Sequence, residues 1–493
     1  MRASPLTLAL VGGGAAATCI LVALSQHLIE ASHTGGGTVL IFEPRSHLWR
    51  GRVYQPDGPE VLTNVPACAM SVQRRNPDDA VEWLASLSGD HPSKVSHRFV
   101  PRALIGDYLV SAAQSAVRCL REAHWQTHIV PERAVRLSTR HNGFVVRGER
   151  SQWSCSDVVL CVGGADQADP YELAGQPGYI AHPYPTREKL ADVQCRSSVL
   201  VLGTGLTAVD TVIALAAQGH EGHLTLASRR GLLPAVREWA VPHEFVHLTV
   251  DGLLNLSSRK NYSLMSLVDL VSRELSEARF DPVSLLQELN STEVPLHRLR
   301  RHLITGSPDG LHILEQAIPR LGQLSWHLLP AADKKLILER YHHHVMSLCC
   351  PMAPRNAAIL AHLSDIGQLD VHSGLRSVVR RADGGFLART ETTEMMPDVV
   401  ISAVTPAVHT THDDARDIVT GLVADGLART HHLGGLQVEF GTGRIVPDRK
   451  FAEDPKIYAL GDLTHGSLYF TFGLSVLVRQ ADDIARALLE SIS

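Results

Sequence analysis

The chain has no C-x-x-C pair. Its eight cysteines are scattered over 493 residues, which excludes both a paired-cysteine zinc site and the dense disulfide framework of a small secreted domain. A reducing cytosol is the expected location. No apolar run approaches the roughly 18 residues that a spanning helix needs, so no membrane partner is expected. Neither sign of charge dominates: the formal net charge is −5. Nucleic-acid binders present a basic face, so no such partner is expected. Aromatic residues make up only 5% of the chain, whereas hydrophobic residues reach 44% and charged residues 20%. That composition belongs to an ordinary globular protein. Its length exceeds one core, and two or three domains are expected at about 150 residues each.

The N-terminal apolar stretch resembles a secretion signal only in hydrophobicity. Arg2 alone precedes it and three glycines interrupt it, so export is not expected. The stretch instead reads as a strand, a turn of Gly12, Gly13 and Gly14, and a helix of small residues opening at Ala15. A turn that grips a pyrophosphate needs this order. Gly12 permits the tight bend, Gly14 lets backbone approach phosphate, and Ala17 lets helix pack closely on strand. The free N–H groups at the helix start then face the anion. The next strand, Thr38 to Phe42, ends in Glu43, a carboxylate placed to hold an adenosine ribose.

A second unit repeats the plan at Ser198 to Ala217, with Gly203, Thr204 and Gly205 in the turn, Leu206 and Thr207 opening the helix, and Ala208 at the close-packing position. Two such units in one chain are far more specific than either alone. The strand after it, His223 to Ala227, ends in Ser228, Arg229 and Arg230. Arginine there pairs with a 2′-phosphate that an acidic residue would repel, which favours NADPH over NADH. Near the C-terminus, KIYALGD forms a short strand that empties into Gly461 and Asp462, followed by a helix from Leu474 to Leu489.

The order of first glycine unit, second glycine unit and late Gly-Asp resembles the two-dinucleotide-domain flavoproteins, the group that contains class B flavin monooxygenases and pyridine-nucleotide-dependent reductases. The segments FEPRSHLWRGRVY, LTNVPACAMS, FVPRALIGDYL, VLGTGLTAVD and ASRRGLLP are more closely similar to bacterial FAD/NAD(P)-binding proteins of the YdhS-like type. The resemblance implies that Gly12, Gly14 and Glu43 hold FAD, with Arg45 and Arg102 as further contacts. It implies that Asn64, beside Val65, Pro66 and Met70, passes near the isoalloxazine, and that Asp462 binds the ribityl chain, with Thr471 beyond it. The strand at 399–408 departs from relatives, which often carry a glycine after Ala-Thr.

The fold class expected is α/β, with two Rossmann-like dinucleotide-binding domains, the NADPH domain inserted in the FAD domain, and a helical insertion. The boundaries read as 1–164 with 370–493 for FAD, 165–239 for NADPH, and 240–369 for helices covering the site. In that insertion apolar residues recur at three- and four-residue spacing. Its LHRLRRH run, Leu296 to His302, reads as a solvated helix face, with an acidic-substrate site as the alternative. His342, His343 and His344 are consecutive and point in different directions from a helix, so they make no metal face. Cys349 and Cys350 read as buried small residues, and Gly178 to His182 as a linker.

The resemblance implies NADPH reducing FAD, after which electrons need an acceptor. The spaced cysteine pairs that serve disulfide reductases are absent. Electrons are therefore expected to go to oxygen or straight to a small organic substrate; in the first reading a flavin C4a-hydroperoxide would insert one oxygen atom into a small molecule. N-hydroxylation of an amino acid or amine is the version the resemblance favours, with Asn64 as the polar group beside the reacting centre. An NADPH-dependent flavin reductase without oxygen insertion is the alternative, as is a dinucleotide-sensing scaffold without turnover. A homo-oligomer is left open.

Overall fold

The computed structural model describes residues 6–31, 35–141, 143–163, 169–238, 242–259, 261–404 and 413–490. Gly164, Trp239 and residues 405–408, which figure in the sequence reading, lie outside them.

Two five-stranded sheets organise the chain, and every pairing within them is parallel. The first unit comprises β1 (Thr7–Val11), α1 (Ala15–Glu30), β2 (Thr38–Phe42), α2 (Arg102–Glu122), β3 (Gln126–Val130) and β4 (Asp157–Leu160). The second comprises β5 (Tyr179–Ile180), β6 (Val199–Leu202), α3 (Leu206–Ala217), β7 (Leu224–Ala227), α4 (Leu311–Leu328), β8 (Leu369–His372) and β9 (Val399–Ser402). The chain then returns through β10 (Ile457–Ala459) and α5 (Leu474–Glu490). The sheet orders are β10-β4-β1-β2-β3 and β8-β7-β6-β9-β5. In both, the glycine strand is central and the order of strands reverses beside it.

These strands are short apolar runs because parallel sheets are covered on both faces. One face of the first sheet carries α1, α2 and α5, whose Ile20, Leu24, Leu109, Ala481 and Ile484 are fully buried there. The other face is covered by a small antiparallel sheet at 134–155 and by the helix Asp413–Ala424. The second unit has its own antiparallel sheet at 377–395, so the two units share a plan beyond their glycine turns.

One expected boundary shifts. Strands β8 and β9 stand in the second sheet, so the return to the first unit comes after Ser402 and not at 370. Strand order is set by pairing over long sequence separations, which a local reading does not see. Tyr179 and Ile180, read as linker, form the edge strand of that sheet through pairing with β9.

The helical insertion lies in the crossover between β7 and β8. It is fixed to the first unit's C-terminal segment by α4. Gly322 allows that approach, since a Cβ there would stand 2.8 Å from Phe470 Cδ2. Gln323 Nε2 donates to Phe470 O at 2.9 Å and Trp326 Nε1 to Gly466 O at 3.0 Å. Trp326 also stacks on Tyr469 with ring centroids 4.4 Å apart.

The LHRLRRH run is not a solvated face. Arg298 and His302 are buried around Glu288, which also accepts from Arg301 at 2.9 Å, and Arg300 pairs with Asp365 at 2.6 Å. The neutralising carboxylates come from neighbouring helices, invisible in the run itself. Replacing Trp326 by Ala removes a stacked, hydrogen-bonded anchor and should cost about 3–5 kcal/mol of stability, read as a lower urea midpoint.

Candidate functional site

The two glycine turns are built alike, atom for atom. Gly12 N–H donates to Phe42 O at 2.9 Å, and Gly203 N–H donates to Ala227 O at 2.8 Å. Cys161 N–H donates to Val11 O at 2.7 Å, and Ala403 N–H to Leu202 O at 2.8 Å. Each turn glycine has positive φ, +100° at Gly12 and +118° at Gly203. A Cβ would lie 2.5 Å from Cys161 O in the first turn and 2.7 Å from Ala403 O in the second. Each turn is thus pressed against the end of the neighbouring strand where the sheet order reverses, which is where ligands bind in such sheets.

The helices that follow leave their starts open. Gly14 precedes α1 and Gly205 precedes α3, and neither offers a side-chain cap. The unpaired N–H groups remain available to an anion. At Gly205 a Cβ would meet nothing within 4 Å, so this turn faces open space. Gly13 N–H donates to Glu43 Oε2 at 2.9 Å, and Arg45 N–H to Glu43 Oε1 at 3.0 Å. The carboxylate is therefore oriented beside the first helix start.

A cavity of about 490 Å³ opens at the first turn. Gly12, Gly14, Ala15, Glu43, Arg45, Gly461, Asp462 and Thr471 line it. Asp462 is exposed to this cavity and accepts from Thr471 Oγ1 at 3.2 Å. Loss of bulk solvation pushes its carboxyl up, against the opposing influence of Thr471 and Arg52. Three further cations on the wall were missed: Arg50, Arg52 and Arg133. Arg50 and Arg52 lie in the quoted FEPRSHLWRGRVY segment, so proximity to Glu43 was the available signal. The cavity continues to Tyr184, Thr207, Ala403 and Val404 of the second unit. One continuous cleft thus touches both units.

Other expected residues lie elsewhere. Arg102 does not line the cavity; its guanidinium is 3.0 Å from Asp210 of α3. Asn64, Val65 and Met70 do not line it either. Met70 is core, and the Asn64 carbonyl accepts from Arg237 Nε at 2.6 Å. Arg237 in turn holds Glu315 at 2.5 Å. Thr204 and Ser228 join their hydroxyls at 3.1 Å, Thr204 Oγ1 donates to Leu232 O, and Ser228 Oγ accepts from Gly231 N. They shape the turn that presents Arg229 and Arg230, both exposed. Leu206 starts α3 and packs in the second core.

In the histidine run His342 and His344 are half-buried and His343 is exposed. His342 Nδ1 meets the Tyr469 hydroxyl at 2.9 Å, and burial lowers the pKa of His342 and of His343 to about 4. Among the described residues no cluster could hold a metal ion. Cys349 and Cys350 are free thiols in the described structure, and burial pushes Cys350 up to about 12. Cys161, on the cavity wall, is likewise pushed well up by burial.

With this geometry in place, the relatives can be named. Residues 9–165 match the FAD-NAD(P)-binding family. No curated protein sequence matches the chain. Among solved structures, it is similar to the reduced form of ornithine hydroxylase from Pseudomonas aeruginosa, at 16% identity and TM-score 0.58, over 99% of this chain and 100% of that one. L-lysine 6-monooxygenase from Pseudomonas syringae gives 14% identity and TM-score 0.59 with the same coverage. Bacillithiol disulfide reductase from Staphylococcus aureus gives 11% identity and TM-score 0.50, over 100% of this chain and 99% of that one. At such identities the likeness establishes the fold: two parallel Rossmann-like sheets, as in those structures. No helix of the described residues is long and apolar enough to cross a membrane.

Glu315 yields a prediction. Burial raises its carboxyl to about 7, with Arg237 pulling the other way. The folded state therefore holds a proton that the unfolded chain releases near pH 4.3. Stability from this group is present below about pH 4 and is lost as pH rises towards about 7. Glu315→Gln should flatten that part of the profile of unfolding free energy against pH, measured by urea titration.

Proposed function

We propose that the protein is an FAD- and NADPH-dependent monooxygenase that inserts one atom of O2 into a small molecule, with N-hydroxylation of an amino acid or amine as its reaction. The supporting observation is a cavity lined by the first glycine turn and, from the second unit, by Tyr184, Thr207, Ala403 and Val404. FAD fits the first cradle: Gly12 leaves no room for a Cβ, the α1 N-terminus and Arg45 and Arg52 offer positive charge, and Asp462 faces inward as a carboxylate acceptor for hydroxyls. NADPH suits the second, through the open turn at Gly205 and the exposed pair Arg229 and Arg230. When bound, FAD supplies two-electron chemistry and oxygen activation, which no side chain can.

The residues of the chain would bind, orient and exclude water. Glu43 would hold the adenosine ribose and Asp462 the ribityl hydroxyls. The helices of the insertion roof the segment from Gly461 to Thr471 through Trp326 and Gly322, an arrangement suited to shielding a water-sensitive intermediate. Disulfide reduction is disfavoured because the one cysteine on the cavity wall has a thiol pushed well up, whereas such chemistry needs a thiolate. Asn64 remains a candidate to meet substrate, with its backbone fixed by Arg237.

With FAD-loaded protein, NADPH and a panel of amino acids and diamines in air, the expected result is a hydroxylamine product detected by mass spectrometry. NADPH oxidation that yields only hydrogen peroxide would place the protein among flavin reductases. No oxidation at all would leave a scaffold. Replacing Arg229 and Arg230 by Ser should weaken NADPH about 10- to 100-fold, the worth of one or two charge-assisted hydrogen bonds, while leaving NADH affinity unchanged.

A further inference from the structure

A buried polar cluster joins the two units behind the cavity, and neither cradle requires it. Arg102 opens α2 on the first unit, and Asp210 lies within α3 on the second. Their Nη2 to Oδ2 distance is 3.0 Å, with side chains 11% and 2% exposed. The Tyr184 hydroxyl donates to the same Asp210 oxygen at 2.5 Å. Beside it, Asp57 of the first unit accepts from Thr186 N at 2.7 Å, Thr186 Oγ1 at 2.8 Å and Arg187 N at 2.8 Å.

A buried ion pair is weak evidence for stability, because desolvation offsets much of its attraction and apolar side chains of similar volume pack as well. What it does supply is direction. One carboxylate oxygen receives a donor from α2 and another from Tyr184; a rotation of the second unit on the first would break the bond to Arg102, while Tyr184, in the same unit as Asp210, holds the carboxylate in the orientation that bond needs. Asp210 lies one turn after Thr207 on α3. Thr207 and Tyr184 both line the cavity. The cluster therefore backs the part of the second unit that meets the first cradle.

We propose that Asp210, clamped by Arg102 and Tyr184, is the positioning residue that fixes the second glycine helix against the first unit, so that reduction of FAD by NADPH depends on it. The proposal rests on the two-dinucleotide reading above. In the step concerned, two electrons and a proton leave NADPH as hydride to give NADP⁺, and enter FAD, which takes a second proton from water to become FADH2. Asp210 touches neither reactant; its effect is on their alignment, where a misplacement of about 1 Å costs about 100-fold in rate.

The test uses FAD-loaded full-length protein carrying Asp210→Asn or the apolar pair Arg102→Met with Asp210→Leu. Two readouts are taken: amide hydrogen exchange, and anaerobic flavin bleaching by NADPH beside bleaching by dithionite. For Asp210→Asn, exchange should quicken together at the start of α2, at 184–190 and at the start of α3. Bleaching by NADPH should slow about 100-fold, with FAD content and dithionite reduction unchanged. The apolar pair should recover the wild-type Tm and not the rate, which separates alignment from stability. A wild-type rate in the apolar pair, or faster exchange confined to α3, would overturn the proposal. If NADPH fails to bleach the wild-type flavin, the two-dinucleotide reading falls, and the exchange pattern alone then decides the clamp.

Discussion

The molecule depends on one steric constraint met twice: a turn glycine lies against the carbonyl that ends the adjacent parallel strand. At Gly12 and Cys161, and again at Gly203 and Ala403, backbone occupies the space a side chain would need. This contact brings the start of each following helix to the edge of its sheet with the N–H groups uncapped. From there the chemistry follows, because a helix start at the reversal of strand order is where a pyrophosphate is held.

What joins the two turns into one site is less local. Asp57 caps the segment after Tyr184, and Arg102 reaches Asp210. On the opposite side α4 packs its Gly322 and Trp326 against the segment that follows Asp462. That segment turns sharply at Tyr469, where φ is +57° and Phe470 N–H donates back to Leu468 O. Such a turn is strained for a residue with a side chain. Here it is enforced by the stack on Trp326 and the bond to His342, and it delivers Thr471 to Asp462.

The parts legible in the sequence are those whose cause is local. Strand, glycine turn and small-residue helix are contiguous, so both turns and Glu43 are readable from the local pattern, whereas Asp462 rests on the resemblance. The parts that were not legible depend on partners far along the chain. Arg102 carries the charge of a cofactor contact, and only the fold shows Asp210 satisfying it. LHRLRRH has the composition of a solvated face, yet Glu288 from another helix buries half of it. The membership of β8 and β9 is decided by pairing with β7 and β6, which no local pattern encodes. The role of Asn64 rests on a resemblance, and its backbone anchors Arg237, a contact with no signature in LTNVPA.

The central claim is that two nucleotide cradles share one space. A crystal structure of the protein with FAD and NADP⁺ bound tests it most directly, through the distance from nicotinamide C4 to flavin N5. The account predicts about 3–3.5 Å, the separation of a productive approach, with Thr207 and Ala403 beside the nicotinamide. A dinucleotide seated at Gly205 but directed away from the cavity, or a second cradle that binds none, would contradict it.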